Sequence, residues 1–316
     1  LNTSMYLKVA IIFGILFGFA AVVTFIGTWE KVKPPVKTKL RDSFSEASSV
    51  FKSRSFKIFI GIYLSGQCAM DFVSGMAIYY VDDVLGGYDK GYLTMLMGVL
   101  LSSQLVGMLI FTPIMTRTSK RTTILIGAPI RLASTLGLLA FSYAGAPIVP
   151  VLLLSAGVGI GNAATLTSIF AILADMADID ELITSTRRPG IVSGMATFAR
   201  KISAGLSVWF IGLLLSLVGY DTKLAHSGVS QALTTQRGIA MIFIVIPAIL
   251  VVLLLIFGYI FPITNKEFDI VKKEIGRRRG TDGSIASDDE KRILERVTGF
   301  KYEDLWKTSN EHKIRS

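Results

Sequence analysis

One lysine stands deep inside a long apolar segment of the chain. Lys201 follows Arg200 in the sequence MATFARKISAGLS, about eleven residues after that segment begins. A charged side chain inside a bilayer-spanning helix costs at least about 2.5–3.5 kcal/mol, so such residues are candidates for function. Thr197 precedes Lys201 by four residues and shares its helix face. An ammonium group beside a hydroxyl can donate hydrogen bonds to a polar substrate or pair with a carboxylate. The alternative is that Lys201 and Arg200 snorkel to the membrane interface.

Other apolar segments also carry isolated polar residues. Asp71 lies near the middle of one segment with Gln67 one turn before it, and we interpret both as candidate ligands for a substrate or cation. The alternative for Asp71 is a buried hydrogen bond. Asn162 and Thr165 form a polar patch in another segment, where they could face a substrate. For Arg131 the alternative to a functional role is a structural partner for a carboxylate.

Three carboxylates recur at the end of the fifth apolar segment. Asp175, Asp178 and Glu181 are spaced by three residues, so they lie along one helix edge. Negative charge at a helix C-terminus opposes the helix dipole, and these side chains therefore need cations nearby. We predict an ion-pair gate that closes this side of the protein in one conformation and opens in another. The alternative is a solvated acidic loop. The predicted cationic partners are Arg117, Arg121, Arg187 and Arg188, with Lys120 beside them.

No group of residues is typical of an enzyme or of a bound cofactor. The two histidines, His226 and His312, stand apart, and the one cysteine, Cys68, lies within an apolar segment, so neither a metal site nor a catalytic triad is indicated. Three glycines at 157, 159 and 161 follow no predicted strand, and we interpret them as a site of close helix packing rather than a phosphate-binding loop. We therefore predict no enzymatic activity and no cofactor.

The composition places these residues in a membrane. The 316 residues are 51% hydrophobic and 18% charged, with a mean hydropathy of +0.57, whereas soluble domains contain about 25% charged residues. A bilayer-spanning helix needs about 20 apolar residues. Seven stretches meet this requirement, without the alternation of a β-barrel. We predict an all-α integral membrane protein in contact with the lipid bilayer, with spans at 5–28, 56–81, 92–115, 122–143, 148–174, 190–220 and 238–263.

The lysines and arginines fall mainly into every second loop. The predicted loop 30–55, the short links after the third and fifth spans, and the tail after residue 263 are basic, whereas the other loops carry few cations. The positive-inside rule therefore predicts that the basic loops and the tail are cytoplasmic. The net charge of +10 follows from this orientation and does not indicate a nucleic-acid partner.

The long basic loop divides the spans unevenly, with one before it and six after it. One plus six spans would remain of a transporter with two six-helix halves if its first five helices were missing. We therefore predict that those N-terminal helices are partners of this chain. The predicted segments are the last helix of an N-terminal half (1–29), a central cytoplasmic loop (30–55), a six-helix transport domain (56–263) and a cytoplasmic tail (264–316). Ser287 and Glu290 form a capping box that predicts an amphipathic tail helix, resting on the bilayer or on the loops.

The carboxylate string, the following Arg-Arg-Pro-Gly turn and the lysine helix resemble the glycoside–pentoside–hexuronide:cation symporter family of the major facilitator superfamily. This resemblance covers essentially the whole chain. It implies a major-facilitator helical bundle in the plasma membrane and alternating-access symport of a sugar or glycoside with a proton or a sodium or lithium ion. It also implies that Lys201 and Thr197 belong to the central polar network. The family's cation-binding aspartates lie on early N-terminal helices, which the sequence does not contain.

Two alternatives stay open. Eukaryotic relatives of the family carry lysophospholipids and keep a comparable lysine, so a lysophospholipid is an alternative substrate. A seven-helix receptor or photoreceptor would share the predicted orientation, and Lys201 would then carry a retinal Schiff base. The position of this lysine in the sixth span and the long first cytoplasmic loop argue against the receptor.

Overall fold

A computed structural model describes residues 3–27, 47–87, 91–226 and 230–307. This described part is helical and contains no strand. Seven of its helices are long and apolar enough to cross a membrane, which confirms the all-α membrane architecture. The chain forms two compact units, Leu1–Ser43 and Phe44–Ser316. The first contains helix α1 (Thr3–Gly27). The predicted central loop 30–55 lies mostly outside the described residues.

The described part of the second unit contains six long helices. They are α2 (Arg54–Tyr79), α3 (Tyr92–Arg117), α4 (Lys120–Gly137), α5 (Ile148–Thr184), α6 (Pro189–Leu217) and α7 (Leu233–Ile260). Helices α3 and α4 pack on α5, α7 packs on α2 and α4, and α6 packs mainly on α2. A π-helical turn continues α2 through Val84. Two large apolar clusters fill the interior, one nearer each end of the unit. We call the end at which α2, α4 and α6 begin the basic end.

Glycines allow α5 to approach its neighbours closely. A Cβ atom on Gly161 would lie 2.6 Å from the backbone nitrogen of Arg131 and from the carbonyl oxygen of Gly127 on α4. A Cβ atom on Gly159 would lie 2.4 Å from the carbonyl oxygen of Leu100 on α3. Backbone atoms cannot rotate away as a side chain can. This geometry confirms that the glycines serve helix packing.

We expect Gly161→Ala to destabilise the protein by about 1–3 kcal/mol, because the added methyl group forces two backbones apart. Gly98 on α3 has open space around its Cα, so Gly98→Ala is the matched control. In a helix this control change stabilises by up to about 1 kcal/mol. Thermal unfolding in detergent measures both effects. Equal midpoints for the two variants would contradict the packing role.

The tail contributes two helices, α8 (Asn265–Arg278) and α9 (Asp288–Thr298), both with capping boxes. They pack against the basic end of the six-helix unit and share its apolar core through Phe268, Val271 and Leu294. The Ser55 hydroxyl at the start of α2 donates to the carbonyl oxygen of Val297. The predicted amphipathic helix thus contacts the start of α2 and helix α8, whereas we expected it to rest on the bilayer or on the loops.

An ion pair joins the two tail helices. Arg277 Nη2 lies 2.8 Å from Glu290 Oε2, and Arg277 Nη1 lies 3.1 Å from Glu274 Oε2. Hydrogen bonds from Arg277 and from the Ser287 backbone lower the pKa of Glu290 to about 2. The pair is therefore charged at neutral pH, and it holds α9 against α8.

Candidate functional site

An ion pair connects α2 and α6 inside the predicted membrane region. Asp71 Oδ1 accepts a hydrogen bond from Arg200 Nη2 at 2.7 Å. With a rise of 1.5 Å per residue, Asp71 lies about 25 Å along α2 and Arg200 about 17 Å along α6 from the basic end. Cys68 Sγ and Ser203 Oγ are 2.6 Å apart at the same helix contact. The two helices therefore meet through polar groups where apolar packing would be the default.

Lys201 follows Arg200 in the sequence and is exposed on α6. Its side chain makes no ion pair within the described ranges, and Thr197, one turn earlier, is also exposed. Gln67 on α2 is half-buried, one turn before Asp71. The predicted neighbours Lys201 and Thr197 thus share one face, and Asp71 adjoins it through Arg200. We call Asp71, Arg200, Lys201 and Thr197 the polar face.

The side chain of Arg131, on α4, is fully buried. Its Nη1 atom donates to the carbonyl oxygen of Gly66 at 3.1 Å and to Asn162 Oδ1 at 2.8 Å. Asn162 Nδ2 in turn donates to Gln104 Oε1 at 3.0 Å. These bonds link α4 to α2 and α5, and α5 to α3. These contacts fit the structural alternative for Arg131, with a carbonyl and an amide as partners rather than the expected carboxylate, while its buried Nε and Nη2 atoms have no hydrogen bond to any described residue.

Asn162 and Thr165 lie inside the six-helix unit. Their exposed fractions are 6% and 1%. Asn162 is engaged by Arg131, and a Cβ atom on Gly66 would lie 2.8 Å from Cγ2 of Thr165, so α2 covers that side chain. We predicted a patch open to a substrate, whereas these side chains point into the protein core. The physical reason is the close packing of α5 against α2 and α4, and the polar face therefore excludes both residues.

The acidic string extends α5 beyond the apolar segment. The helix continues to Thr184, so all its carboxylates lie on helical backbone. Asp175 forms an ion pair with Lys120 at the start of α4, and Asp178 pairs with Arg187 at 3.4 Å. The side chain of Glu181 is engaged from the tail, because Arg279 Nε donates to its Oε1 at 2.8 Å. These ion pairs connect α5 with α4, the α5–α6 loop and the tail.

One ion pair at this end is almost completely buried. Arg188 donates from Nη2 to Asp180 Oδ1 at 2.8 Å and from Nε to Asp180 Oδ2 at 3.0 Å. The exposed fractions of the two side chains are 6% and 5%, respectively. A bidentate bond between a guanidinium and a carboxylate is the strongest form of this interaction.

Two of the predicted gate cations lie in environments other than the acidic string. Arg117 is exposed at the end of α3, and the Arg121 guanidinium lies 5.5 Å from the centroid of the Tyr259 ring. Neither forms an ion pair with the acidic string in the described part of the chain. The expected pairing of Arg117 and Arg121 with these carboxylates is therefore not what the structure contains, because Lys120 occupies the position next to Asp175.

The sequence did not lead us to predict the pairings of four residues: Gln104, Asp180, Arg200 and Arg279. Arg200 is the most informative of them. Arg200 and Asp71 carry opposite charges in two apolar segments, and each needs a partner there. This complementarity is a sequence signal from which their ion pair could have been predicted. The tail residue Arg279 gave no such signal, since a basic tail is already explained by membrane orientation.

This arrangement offers hydrogen bonds and charge rather than covalent chemistry. It consists of an ammonium, a guanidinium, a carboxylate and a hydroxyl on two packed helices. Groups of these types orient a polar solute without reacting with it.

A family model described as "MFS/sugar transport protein" matches residues 1–265. The chain belongs to this family. The family and the described helices support the predicted resemblance and a transporter rather than a receptor.

Curated relatives agree with this membership of the MFS/sugar transport family. The chain is 28% identical over 221 residues to a "Glucuronide carrier protein homolog" of Escherichia coli, covering 68% of this chain and 46% of that protein. It is 24% identical over 294 residues to a "Putative sulfoquinovose importer" of Salmonella typhimurium, covering 92% and 60%. An "Uncharacterized symporter" of Synechocystis is 22% identical over 268 residues, covering 84% and 49%. The chain thus spans about half the length of the curated relatives it matches.

Proposed function

We propose that the full-length protein carries a sugar or glycoside across the plasma membrane in symport with a proton or a sodium ion. The single observation that carries this proposal is the polar face, where Lys201 is exposed beside the Asp71–Arg200 ion pair at the depth of the membrane. Charges within a membrane-spanning bundle mark pathways for substrates and ions. The printed descriptions of the family and of its relatives support a sugar as the substrate and symport as the mode.

In this proposal the polar face lies on the pathway between two helical halves. Transport by alternating access requires one half to rock against the other around a site near the bilayer midplane. The depth of Asp71 and Arg200 along their helices supports such a location. Basic residues at one end support an orientation with that end and the tail in the cytoplasm.

The ion pairs at the basic end favour a role other than the predicted gate. Their observed partners belong to the same compact unit as the carboxylates themselves. We propose that these pairs hold α5, α4, the α5–α6 loop and the tail together while the access pathway opens and closes. Rigid halves are what a rocking mechanism needs.

The direct test is uptake by the full-length protein reconstituted in proteoliposomes. We expect radiolabelled sugar to accumulate above equilibrium when an inward proton or sodium gradient is imposed, and to equilibrate without accumulation when the gradient is collapsed. Vesicles without protein are the control. Uptake of lysophospholipid with no uptake of any sugar would contradict the proposed substrate class. Accumulation that ignores both cation gradients would contradict symport.

A further inference from the structure

Two arginines at the basic end lie close together and have no acidic partner. Arg117 is the last residue of α3, and Arg121 is in the first turn of α4, after a short link between the two helices. The acidic string pairs with Lys120 instead, and neither arginine forms an ion pair among the described residues. Both guanidinium groups are therefore open to a ligand of opposite charge.

A tyrosine places Arg121 at the surface of the membrane. The Arg121 guanidinium lies 5.5 Å from the centroid of the Tyr259 ring, near the end of α7. Tyr259 is 68% exposed, and Ile256 and Ile260 on the same helix are also exposed. Exposed apolar residues of a membrane-spanning helix face the lipid tails, and tyrosines near its end lie at the level of the headgroups. Arg121 therefore lies where the lipid headgroups begin.

The exposed surface of α3 leads to the same level. Leu109 and Ile110 are exposed and precede Arg117 by seven or eight residues, which is about 10–12 Å along a helix. The link between α3 and α4 is held in place from the tail, because Asn265 Nδ2 donates to the carbonyl oxygen of Thr118 at 2.8 Å. The two arginines are thus fixed beside an apolar surface.

Charged residues at the start of α8 leave this region cationic. Lys266 is exposed and adds a third positive charge without an ion pair in the described ranges. Glu267 is engaged by Arg296 at 3.2 Å. Asp269 is exposed and, among the residues that the structure describes, unpaired, so it offsets only one of the three cations. We call four residues the basic corner: Arg117, Arg121, Tyr259 and Lys266.

We propose that the basic corner binds the headgroup of an anionic phospholipid in the leaflet at the basic end. The planar N–H groups of arginine match the oxygen atoms of a phosphate. The exposed apolar residues of α3 and α7 then contact the acyl chains, so that one lipid joins α3, α4 and α7. Basic sites between membrane helices on the cytoplasmic side are typical of binding to anionic headgroups. The site is independent of the transported solute.

Two lipids with the same acyl chains test the proposal on the full-length protein, delipidated in detergent. Dioleoyl phosphatidylglycerol is anionic and dioleoyl phosphatidylcholine is zwitterionic. Native mass spectrometry gives the concentration of each lipid at which half of the protein carries one molecule. We expect the wild-type protein to bind phosphatidylglycerol at least about tenfold more tightly, because each cation near an anionic headgroup contributes about 1 kcal/mol.

Variants of the basic corner should weaken binding of phosphatidylglycerol and not of phosphatidylcholine. Arg121→Gln should weaken it about fivefold, and the double variant Arg117→Gln with Arg121→Gln about thirtyfold. Tyr259→Leu keeps the apolar surface and removes the ring under the guanidinium, so it should weaken binding about twofold to fivefold. Arg187→Gln removes the same charge from another exposed arginine at this end and should leave binding unchanged.

Three results would overturn the site. They are equal affinities of the wild-type protein for the two lipids, an equal loss in Arg187→Gln and in Arg121→Gln, and displacement of phosphatidylglycerol by glycerol 3-phosphate at equal concentration. The last result would show that the corner takes a soluble phosphate instead of a lipid. None of these experiments measures uptake, so the proposed transport function is tested separately.

Discussion

Lys201→Ala should abolish concentrative uptake, lowering accumulation more than about tenfold, while the protein still inserts into the membrane. The lysine is exposed on α6 and lacks an ion-pair partner in the described ranges, so its removal breaks no ion pair there. A charge kept at this depth, at a cost of at least about 2.5–3.5 kcal/mol, indicates an interaction made during transport. Uptake into proteoliposomes under an imposed cation gradient measures the effect.

Two controls accompany this variant. Lys57→Ala removes an exposed lysine near the basic end of α2 and should transport normally. The thermal midpoint of Lys201→Ala in detergent should match that of the wild-type protein, which separates lost transport from lost folding. Wild-type accumulation by Lys201→Ala would remove this residue from the mechanism.

The Asp180–Arg188 pair should dominate the stability of the basic end. Removing one partner of a buried ion pair costs about 3–5 kcal/mol, because the remaining charge loses its bidentate hydrogen bonds in a place that water does not reach. We therefore expect Arg188→Gln to lower the free energy of unfolding by that amount and to reduce the yield of folded protein. Thermal unfolding in detergent and size-exclusion chromatography measure these effects.

The neighbouring arginine is a matched control. Arg187 pairs with Asp178, but its side chain is 63% exposed. Exposed ion pairs contribute only about 0–1 kcal/mol because water screens them. Arg187→Gln should therefore leave the thermal midpoint nearly unchanged. If the two arginine variants are equally stable, burial does not set the strength of these pairs.

Much of the architecture was predictable because insertion into a membrane depends on local properties of the chain. Whether a stretch crosses the bilayer depends on its own apolar residues, and all seven predicted spans correspond to long helices in the described part of the chain. The cost of a charge in such a stretch is also local, which is why Lys201, Asp71 and Arg131 could be selected as special residues. The clustered glycines 157, 159 and 161 predicted close packing for the same reason, since their small size is a property of the sequence.

The partners were less predictable. Asp175 pairs with Lys120 rather than Arg117 or Arg121, and Glu181 is engaged by Arg279, a residue far along the chain in the tail. Neighbouring residues on a helix differ by about 100° in direction, so the rotation of each helix decides which of several adjacent cations meets a carboxylate.

Some members of the polar face could be recognised from the sequence, and the others only from the packing of the helices. Apolar periodicity and charge cost select Lys201 and Asp71 from the sequence, together with the membrane that surrounds them. Packing of α2 against α6 decides that Arg200, not Lys201, reaches Asp71, and packing of α5 turns Asn162 and Thr165 into the interior. The free energy of transfer from water to lipid is a sum over single side chains, so it can be estimated from the sequence. An ion pair, in contrast, forms only when two helices lie at a particular distance and are rotated so that both side chains face each other. Only the folded unit supplies that geometry.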